Sequence, residues 1–136
     1  MEQLLVTRMR AYLDAGLALD VDRLDALYDP AFTNVRVDLG GRTVVLTKAD
    51  FMGRFRALKE AGQSLGDSVD DVTFPHAGLC GDLGSVVMHR VEDGVPALYQ
   101  FVWRVEGGRP TTLLREYTFE RDLGPLLAMM AAVTPS

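Results

Sequence analysis

The 136-residue sequence has one cysteine, two histidines and no long run of apolar residues. The single cysteine, Cys80, excludes an internal disulfide and a cysteine-based metal cluster. The histidines, His76 and His89, fall on different predicted strands without neighbouring carboxylates, so we expect no metal site. The longest apolar run, "LLAMMAAV", is far too short to cross a bilayer.

The sequence also lacks a basic patch. It has 14 Lys and Arg residues against 19 Asp and Glu residues, a net charge of -5, and its basic residues form no run. Nucleic acids and anionic membrane surfaces need a basic face, so we expect neither as a partner. The glycines in "DLGG" and "EGGR" have hairpin context rather than that of a phosphate loop, and no cofactor is expected. The opening "MEQLLVTRMR" has no uninterrupted apolar core, which predicts a cytoplasmic protein.

Apolar periodicity predicts three helices in the first half of the chain. Residues 3–18 carry apolar side chains three to four apart. Asp20 is a suitable N-cap for a second helix, which ends at Asp29-Pro30 because proline disfavours the helical conformation in the residue before it. Thr47 and Asp50 resemble a capping box that starts a third helix.

Strands are expected where apolar residues alternate with a period of two. The stretches "GLCGDLG", "EDGVP" and "EGGRP" are the predicted turns between the last four strands. The predicted strands are "AFTNVRV", "RTVVLT", "VDDVTFPH", "SVVMHRV", "ALYQFVWRV" and "TTLLREYTFE". The order predicts one α+β domain over 1–136, with a core over 3–122, an unassigned tail over 123–136, and three N-terminal helices packed on a curved, mostly antiparallel sheet.

Hairpin turns at Asp93-Gly94 and Gly107-Gly108 predict which strand residues share a face. The predicted opposed pairs are His89 with Leu98, Gln100 with Arg115, and Glu106 with Arg109. One face then carries His89, Gln100, Arg115 and Tyr117 among apolar residues, and the other carries Tyr99, Phe101, Trp103, Glu116, Thr118 and Glu120. Both faces are largely apolar, so each needs a cover. We assign the helices to the first face and a second subunit to the second.

The element order, with "LDALYDP" and "VEGGR", resembles the nuclear transport factor 2-like superfamily. That superfamily has a cone-shaped α+β fold, also called cystatin-like, and includes ketosteroid isomerases and the SnoaL-like polyketide cyclases. The stretch "ALYDPAFTNVRVDLGGRTVVLTKADFMGRF" is also similar to the lumazine-binding-like group. In ketosteroid isomerases, a first-helix tyrosine donates to the substrate oxyanion, and a second tyrosine lies 16 residues later. Tyr12 and Tyr28 match this spacing.

The resemblance implies a pocket in the cone but no general base, because Asn34 and Val35 stand where the proton-shuttling aspartate of the isomerases is expected. We therefore leave catalytic residues unassigned and predict binding of a small apolar molecule, including one with an anionic group. The predicted ligand-binding residues are Tyr12, Tyr28, Phe55, His89, Gln100, Arg115 and Tyr117. Each could instead have only a structural role, for example a core hydroxyl bonded to backbone.

Two other functions fit the same sequence. One is an acid–base enzyme of the isomerase, cyclase or hydratase type. The other is a non-catalytic dimeric assembly or accessory module. In each case we expect a homodimer that forms through the sheet face of Tyr99, Phe101 and Trp103.

Overall fold

The protein is described by a computed structural model that covers residues 1–66, 68–92 and 94–133. A six-stranded sheet has the strand order β2-β1-β6-β5-β4-β3, and its neighbours are antiparallel except for the parallel pair β1 and β6. The elements are α1 (Glu2–Leu17), α2 (Val21–Leu27), β1 (Tyr28–Asp38), β2 (Thr43–Thr47), α3 (Lys48–Glu60), β3 (Thr73–Cys80), β4 (Leu83–Glu92), β5 (Val95–Glu106), β6 (Arg109–Glu120) and α4 (Gly124–Val133).

The three predicted N-terminal helices are confirmed, and so are two of their caps. The Asp20 carboxylate accepts a hydrogen bond from the Arg23 backbone N–H at the start of α2. Thr47 and Asp50 form both hydrogen bonds of a capping box at the start of α3. A fourth helix, α4, lies in the tail that the sequence left unassigned, of which residues 134–136 lie outside the described part.

The edge strand β3 differs from its prediction. It begins at Thr73 and runs to Cys80, through residues that were expected to form a turn. The reason is the tight turn at Gly81, which has a φ of 63° and lets Cys80 pair with Leu83. Glycine adopts this left-handed conformation without steric cost.

The predicted hairpin pairs are confirmed for His89 with Leu98 and for Glu106 with Arg109. Asp93, in the first predicted turn, lies outside the described residues. The pairing of Gln100 with Arg115 is wrong.

Gln100 lies opposite Tyr117, because register irregularities on either side of Trp103 displace β6 along β5. The displacement from Arg115 to Tyr117 is an even number of residues, so both side chains stay on the predicted face.

The helices cover the opposite sheet face from the one predicted. Phe101 and Trp103 are 1% and 0% exposed, and their rings lie 5.9 and 6.2 Å from the ring of Tyr12 in α1. Tyr99 packs against the same core. The prediction of a homodimer surface at these three residues is therefore wrong, because the chain's own helices cover them. We call this the inner face and the opposite one the outer face.

Helix α1 packs very closely on the inner face. Leu5 and Met9 are both 0% exposed, and the Met9 sulfur accepts a hydrogen bond of 3.2 Å from the Trp103 indole N–H. Gly84 in β4 makes this approach possible, since a Cβ there would collide with the Leu5 side chain. Within the described residues, no helix is long and apolar enough to cross a membrane.

We predict that Trp103→Ala lowers the free energy of unfolding by about 3–5 kcal/mol, because it leaves a cavity under α1. Leu98 is 48% exposed on the outer face, so the control Leu98→Ala should cost less than about 1 kcal/mol. Urea unfolding of both variants measures the difference. Equal losses would contradict the assignment of the two faces.

Candidate functional site

Two buried tyrosines meet inside the fold. Tyr12 comes from the inward side of α1, and Tyr28 is the first residue of β1, where the chain leaves α2 in extended conformation. Their hydroxyl oxygens are 2.8 Å apart and share a hydrogen bond, and their rings pack edge to face at 5.6 Å. Burial raises the pKa of both hydroxyls well above the ordinary value. Both side chains therefore remain protonated and can act as donors.

The tyrosine pair lines a cavity of about 430 Å³, a volume within the usual range for small-molecule sites. Its wall is mixed, since apolar side chains such as Phe55 lie beside polar ones such as Asp71 and Arg90. Three of the predicted ligand-binding residues, Tyr12, Tyr28 and Phe55, therefore line one cavity. The remaining lining residues are Leu13, Gly16, Leu17, Leu24, Leu65, Gly66, Ser68, Val69, Asp71, Arg90 and Val91.

The other four predicted ligand-binding residues lie on the outer face, so their placement in the cone is wrong. His89 and Gln100 pair with the outer-face residues Leu98 and Tyr117. The physical reason is that α1 to α3 cover the other side of the sheet.

Two of these four side chains bond to neighbouring strands. The Gln100 amide donates to the Ser85 hydroxyl at 3.2 Å, and the Arg115 guanidinium donates to the Thr33 hydroxyl. These contacts hold them in the sheet surface and away from the cavity.

A buried carboxylate that the sequence did not identify as functional lies on the inner face. Glu116 is 8% exposed and stands directly opposite Phe101, whose ring contacts Tyr12. Its Oε2 accepts a hydrogen bond of 2.8 Å from the amide nitrogen of Asn34. In turn, the Asn34 amide oxygen accepts a bond of 2.8 Å from Arg36. The network fixes the position of the Glu116 carboxyl group.

Burial raises the pKa of Glu116 to about 7, against the opposing effects of the Arg36 charge and the Asn34 hydrogen bond. The charge of Glu116 also raises the pKa of Tyr12 and of Tyr28, after the larger effect of burial. The carboxyl group is thus close enough to the tyrosine pair for its charge to affect both hydroxyls. Perturbed titratable groups that lie together in this way are typical of functional sites.

A signal for Glu116 was present in the sequence. Glu116, Thr118 and Glu120 alternate along β6 on the face of Phe101 and Trp103. Three polar residues on an apolar face conflict with burial unless they have partners. Two residues of β1 supply these partners: Asn34 bonds to Glu116, and Arg36 bonds to Glu120 at 2.9 Å. The sequence does not show this, because only the parallel pairing of β1 with β6 brings these residues together.

At the cavity mouth, Arg90 forms an ion pair with Asp71. The guanidinium nitrogens are 3.2 and 3.3 Å from the two carboxylate oxygens. Arg90 also donates to the Ser68 backbone carbonyl at 3.4 Å. This pair ties the segment before β3 to β4 and forms the polar part of the rim.

Solved structures share this architecture. An NTF2-like protein of unknown function from Silicibacter pomeroyi superposes with a TM-score of 0.65 at 10% identity, over 85% of this chain and 92% of that one. An NTF2-like protein from Cytophaga hutchinsonii superposes with a TM-score of 0.63 at 16% identity, over 86% of this chain and 95% of that one. The fold of this chain is that of the nuclear transport factor 2-like superfamily. No family model and no curated protein matches the sequence.

The NTF2-like fold agrees with the expected architecture of a cone-shaped α+β domain. A ketosteroid isomerase-like protein from Erwinia carotovora atroseptica has the same fold, with a TM-score of 0.55 at 19% identity over 87% of this chain and 94% of that one. At such low identities the likeness concerns the fold alone, since one fold hosts many functions. The function has to be argued from the cavity and its side chains.

We predict that Glu116 makes stability depend on pH. Its pKa is raised from 4.5 to about 7, so between these values the folded chain holds a proton that the unfolded chain has lost. The free energy of unfolding therefore falls as pH rises from 4.5 to about 7 and is constant above it, with a total loss of about 3 kcal/mol.

Urea unfolding at pH 5 and pH 8 measures this loss. Glu116→Gln keeps an acceptor for Asn34 but carries no charge, so the variant should lose most of the dependence and exceed the wild type in stability at pH 8. Glu106→Gln, at an exposed position of the same sheet, should keep the wild-type dependence. An unchanged pH profile in Glu116→Gln would contradict the prediction.

Proposed function

We propose that this protein binds a small, largely apolar molecule in the cavity, with the Tyr12–Tyr28 pair as the polar contact. The observation that carries the proposal is the cavity of about 430 Å³ in which a buried hydroxyl pair lies among apolar side chains such as Leu13, Leu24 and Phe55. Ligand sites commonly combine an apolar lining with a few polar groups that fix orientation.

The tyrosine pair favours a ligand with a neutral acceptor such as a carbonyl group. Two hydroxyls carry two protons, and the hydrogen bond between Tyr12 and Tyr28 uses one of them. The second proton can be donated to a bound oxygen. The nearby carboxyl of Glu116 disfavours an anion at this end of the cavity. The expectation of an anionic ligand depended on Arg115, which lies on the outer face, and we do not retain it.

We predict that Gly16→Leu blocks binding. Gly16 lines the cavity, and a Cβ there would meet only Leu65 at 3.9 Å, an ordinary contact. The leucine side chain should project into the cavity and obstruct it, while the helix gains about 1 kcal/mol of propensity. The probe is 2-acetylnaphthalene, a neutral apolar ketone, detected through the fluorescence of Trp103, the single tryptophan in the chain.

The matched control is Gly53→Leu, because Gly53 lies in α3 with nothing within 4 Å of its would-be Cβ. It should bind the probe as the wild type does, and Gly16→Leu should bind at least about tenfold more weakly, a loss of about 1.4 kcal/mol. Equal binding by the two variants, or no binding by the wild type, would overturn the proposal for this ligand class.

A second candidate function is acid–base chemistry on the bound molecule, and the position of Glu116 favours it. A carboxyl with a pKa of about 7 suits proton transfer near neutral pH. Glu116 would take a proton from the carbon beside a bound carbonyl, and Tyr12 would donate to the developing enolate oxygen. Since Glu116 does not line the cavity, the molecule must extend past Tyr12 to reach it.

We predict that this chemistry, if present, exchanges the methyl protons of 2-acetylnaphthalene for deuterium in D₂O, measured by NMR. Glu116→Gln should slow the exchange by about 10²- to 10⁴-fold, since it removes the general base. The wild-type rate should rise with pH up to about 7, because only the carboxylate accepts a proton. Glu106→Gln is the control. Exchange no faster than in buffer would exclude this second function and leave the binding proposal standing.

The homodimer remains a prediction, and we now place its interface on the outer face of the sheet. With the inner face covered by helices, the outer face is the sheet surface left for a second copy. It carries exposed apolar residues on three strands, Val45, Leu98 and Phe119, which are 56%, 48% and 53% exposed.

A further inference from the structure

The cavity has a second polar end that the proposed function does not use. Arg90, Asp71 and Ser68 line the same cavity as the tyrosine pair, but they lie closer to solvent. Tyr12 and Tyr28 are 8% and 1% exposed, whereas the side chains of Arg90 and Asp71 are 20% and 33% exposed. The tyrosines therefore form the inner end of the cavity, and the ion pair forms its outer end.

The two ends lie at different levels along β4. Val86, Met88 and Arg90 occupy alternate positions of this strand, so they share the inner face. Val86 pairs with Phe101, whose ring lies 5.9 Å from the ring of Tyr12. Arg90 is further along β4, about 13 Å from Val86 at the usual rise of a strand. A ligand that contacts both ends must therefore be elongated.

The wall between the two ends is apolar where α1 forms it. Leu5 lies against Gly84 near the start of β4, and the level of Tyr12 is further along both elements, so helix and strand run side by side in the same direction. Beyond Tyr12, the helix presents Leu13 and Leu17 to the cavity. The middle of an elongated ligand would pack against these two side chains.

The ion pair orients the Asp71 carboxylate at the outer end. Its Oδ1 accepts a hydrogen bond of 3.2 Å from the Arg90 guanidinium, and its Oδ2 accepts one of 3.3 Å from the Arg90 Nε. Arg90 also donates to the Ser68 carbonyl at 3.4 Å. Each carboxylate oxygen has two lone pairs and can accept a second hydrogen bond. Asp71 is therefore an oriented acceptor.

The two ends have opposite hydrogen-bonding character. The tyrosine pair has a proton to donate and so suits an acceptor, whereas Asp71 suits a donor. The Arg90 guanidinium disfavours a second cation beside it, so the matching donor is a neutral hydroxyl group. A purely apolar group at the outer end would cover the ion pair without replacing its contacts with water, which costs free energy.

We propose that the cavity selects an elongated apolar molecule with a carbonyl group at one end and a hydroxyl group at the other, and that Asp71 determines the preference for the hydroxyl. The inference rests on the proposed function, since it names the class of ligand for the same cavity. The hydroxyl donates to the Asp71 carboxylate, while the carbonyl accepts from the tyrosine pair.

Three ketones that differ at one position test the inference: 2-acetylnaphthalene, 6-hydroxy-2-acetylnaphthalene and 6-methoxy-2-acetylnaphthalene. The 6-position lies at the opposite end of the ring system from the acetyl group. The hydroxyl can donate to Asp71, whereas the methoxy group can only accept. Dissociation constants are measured through the fluorescence of Trp103 at pH 6, where a phenolic hydroxyl is protonated.

We expect the wild type to bind the hydroxy ketone about tenfold more tightly than 2-acetylnaphthalene, near the lower limit for a hydrogen bond to a charged group. The methoxy ketone should bind no more tightly than 2-acetylnaphthalene. Asp71→Ala should lose the preference for the hydroxyl. The matched control Asp70→Ala removes the same charge from the neighbouring residue, which does not line the cavity, and should keep the preference.

The outcomes separate this inference from the binding proposal. If 2-acetylnaphthalene binds and the hydroxyl adds nothing, the binding proposal stands and the inference is overturned. Equal gains from the hydroxyl and the methoxy group, or an unchanged preference in Asp71→Ala, would also overturn it. If none of the three ketones binds to the wild type, both fail. Circular dichroism checks the folding of the variants, and if Asp71→Ala is unfolded, the three ketones on the wild type decide.

Discussion

The close packing of α1 on the inner face of the sheet is the constraint on which the structure depends. Leu5 reaches the backbone of β4 at Gly84, and Met9 bonds the Trp103 indole one turn later. This contact fixes which side of the sheet is interior. It also sets the depth of Tyr12, one turn further along the same side of α1, and hence the floor of the cavity. A larger side chain at Gly84 would collide with the Leu5 side chain and force it to move.

The apolar interior holds a polar network that costs stability. Glu116 is buried, and the loss of hydration raises its pKa despite the opposing effects of the Arg36 charge and the Asn34 hydrogen bond. A purely structural core could fill the same position on β6 with an apolar residue at lower cost. The proposed acid–base chemistry would give this carboxyl group a role, provided that the bound molecule extends past Tyr12 to reach it.

Binding and proton transfer are related functions in this arrangement. Both use the cavity wall and the hydroxyl pair, and they differ in whether Glu116 reaches the bound molecule. The Arg90–Asp71 pair forms part of the polar rim in either case.

The sequence by itself determined the element order, the helix caps, the α+β class and the spacing of Tyr12 and Tyr28, because local periodicity and capping chemistry encode them. It also predicted correctly that Gln100 and Arg115 share one face. Side chains alternate between the two faces of a strand, so a register shift of two residues leaves each side chain on the same face. Only the tertiary structure decided which face is interior. Both faces are apolar enough to be buried, and the choice depends on long-range packing such as that of Met9 on Trp103. Because the helices cover the inner face, four of the predicted ligand-binding residues lie on the outer face and Glu116 is buried on the inner face. The parallel pairing of β1 with β6 places Asn34 beside Glu116 as its hydrogen-bond partner.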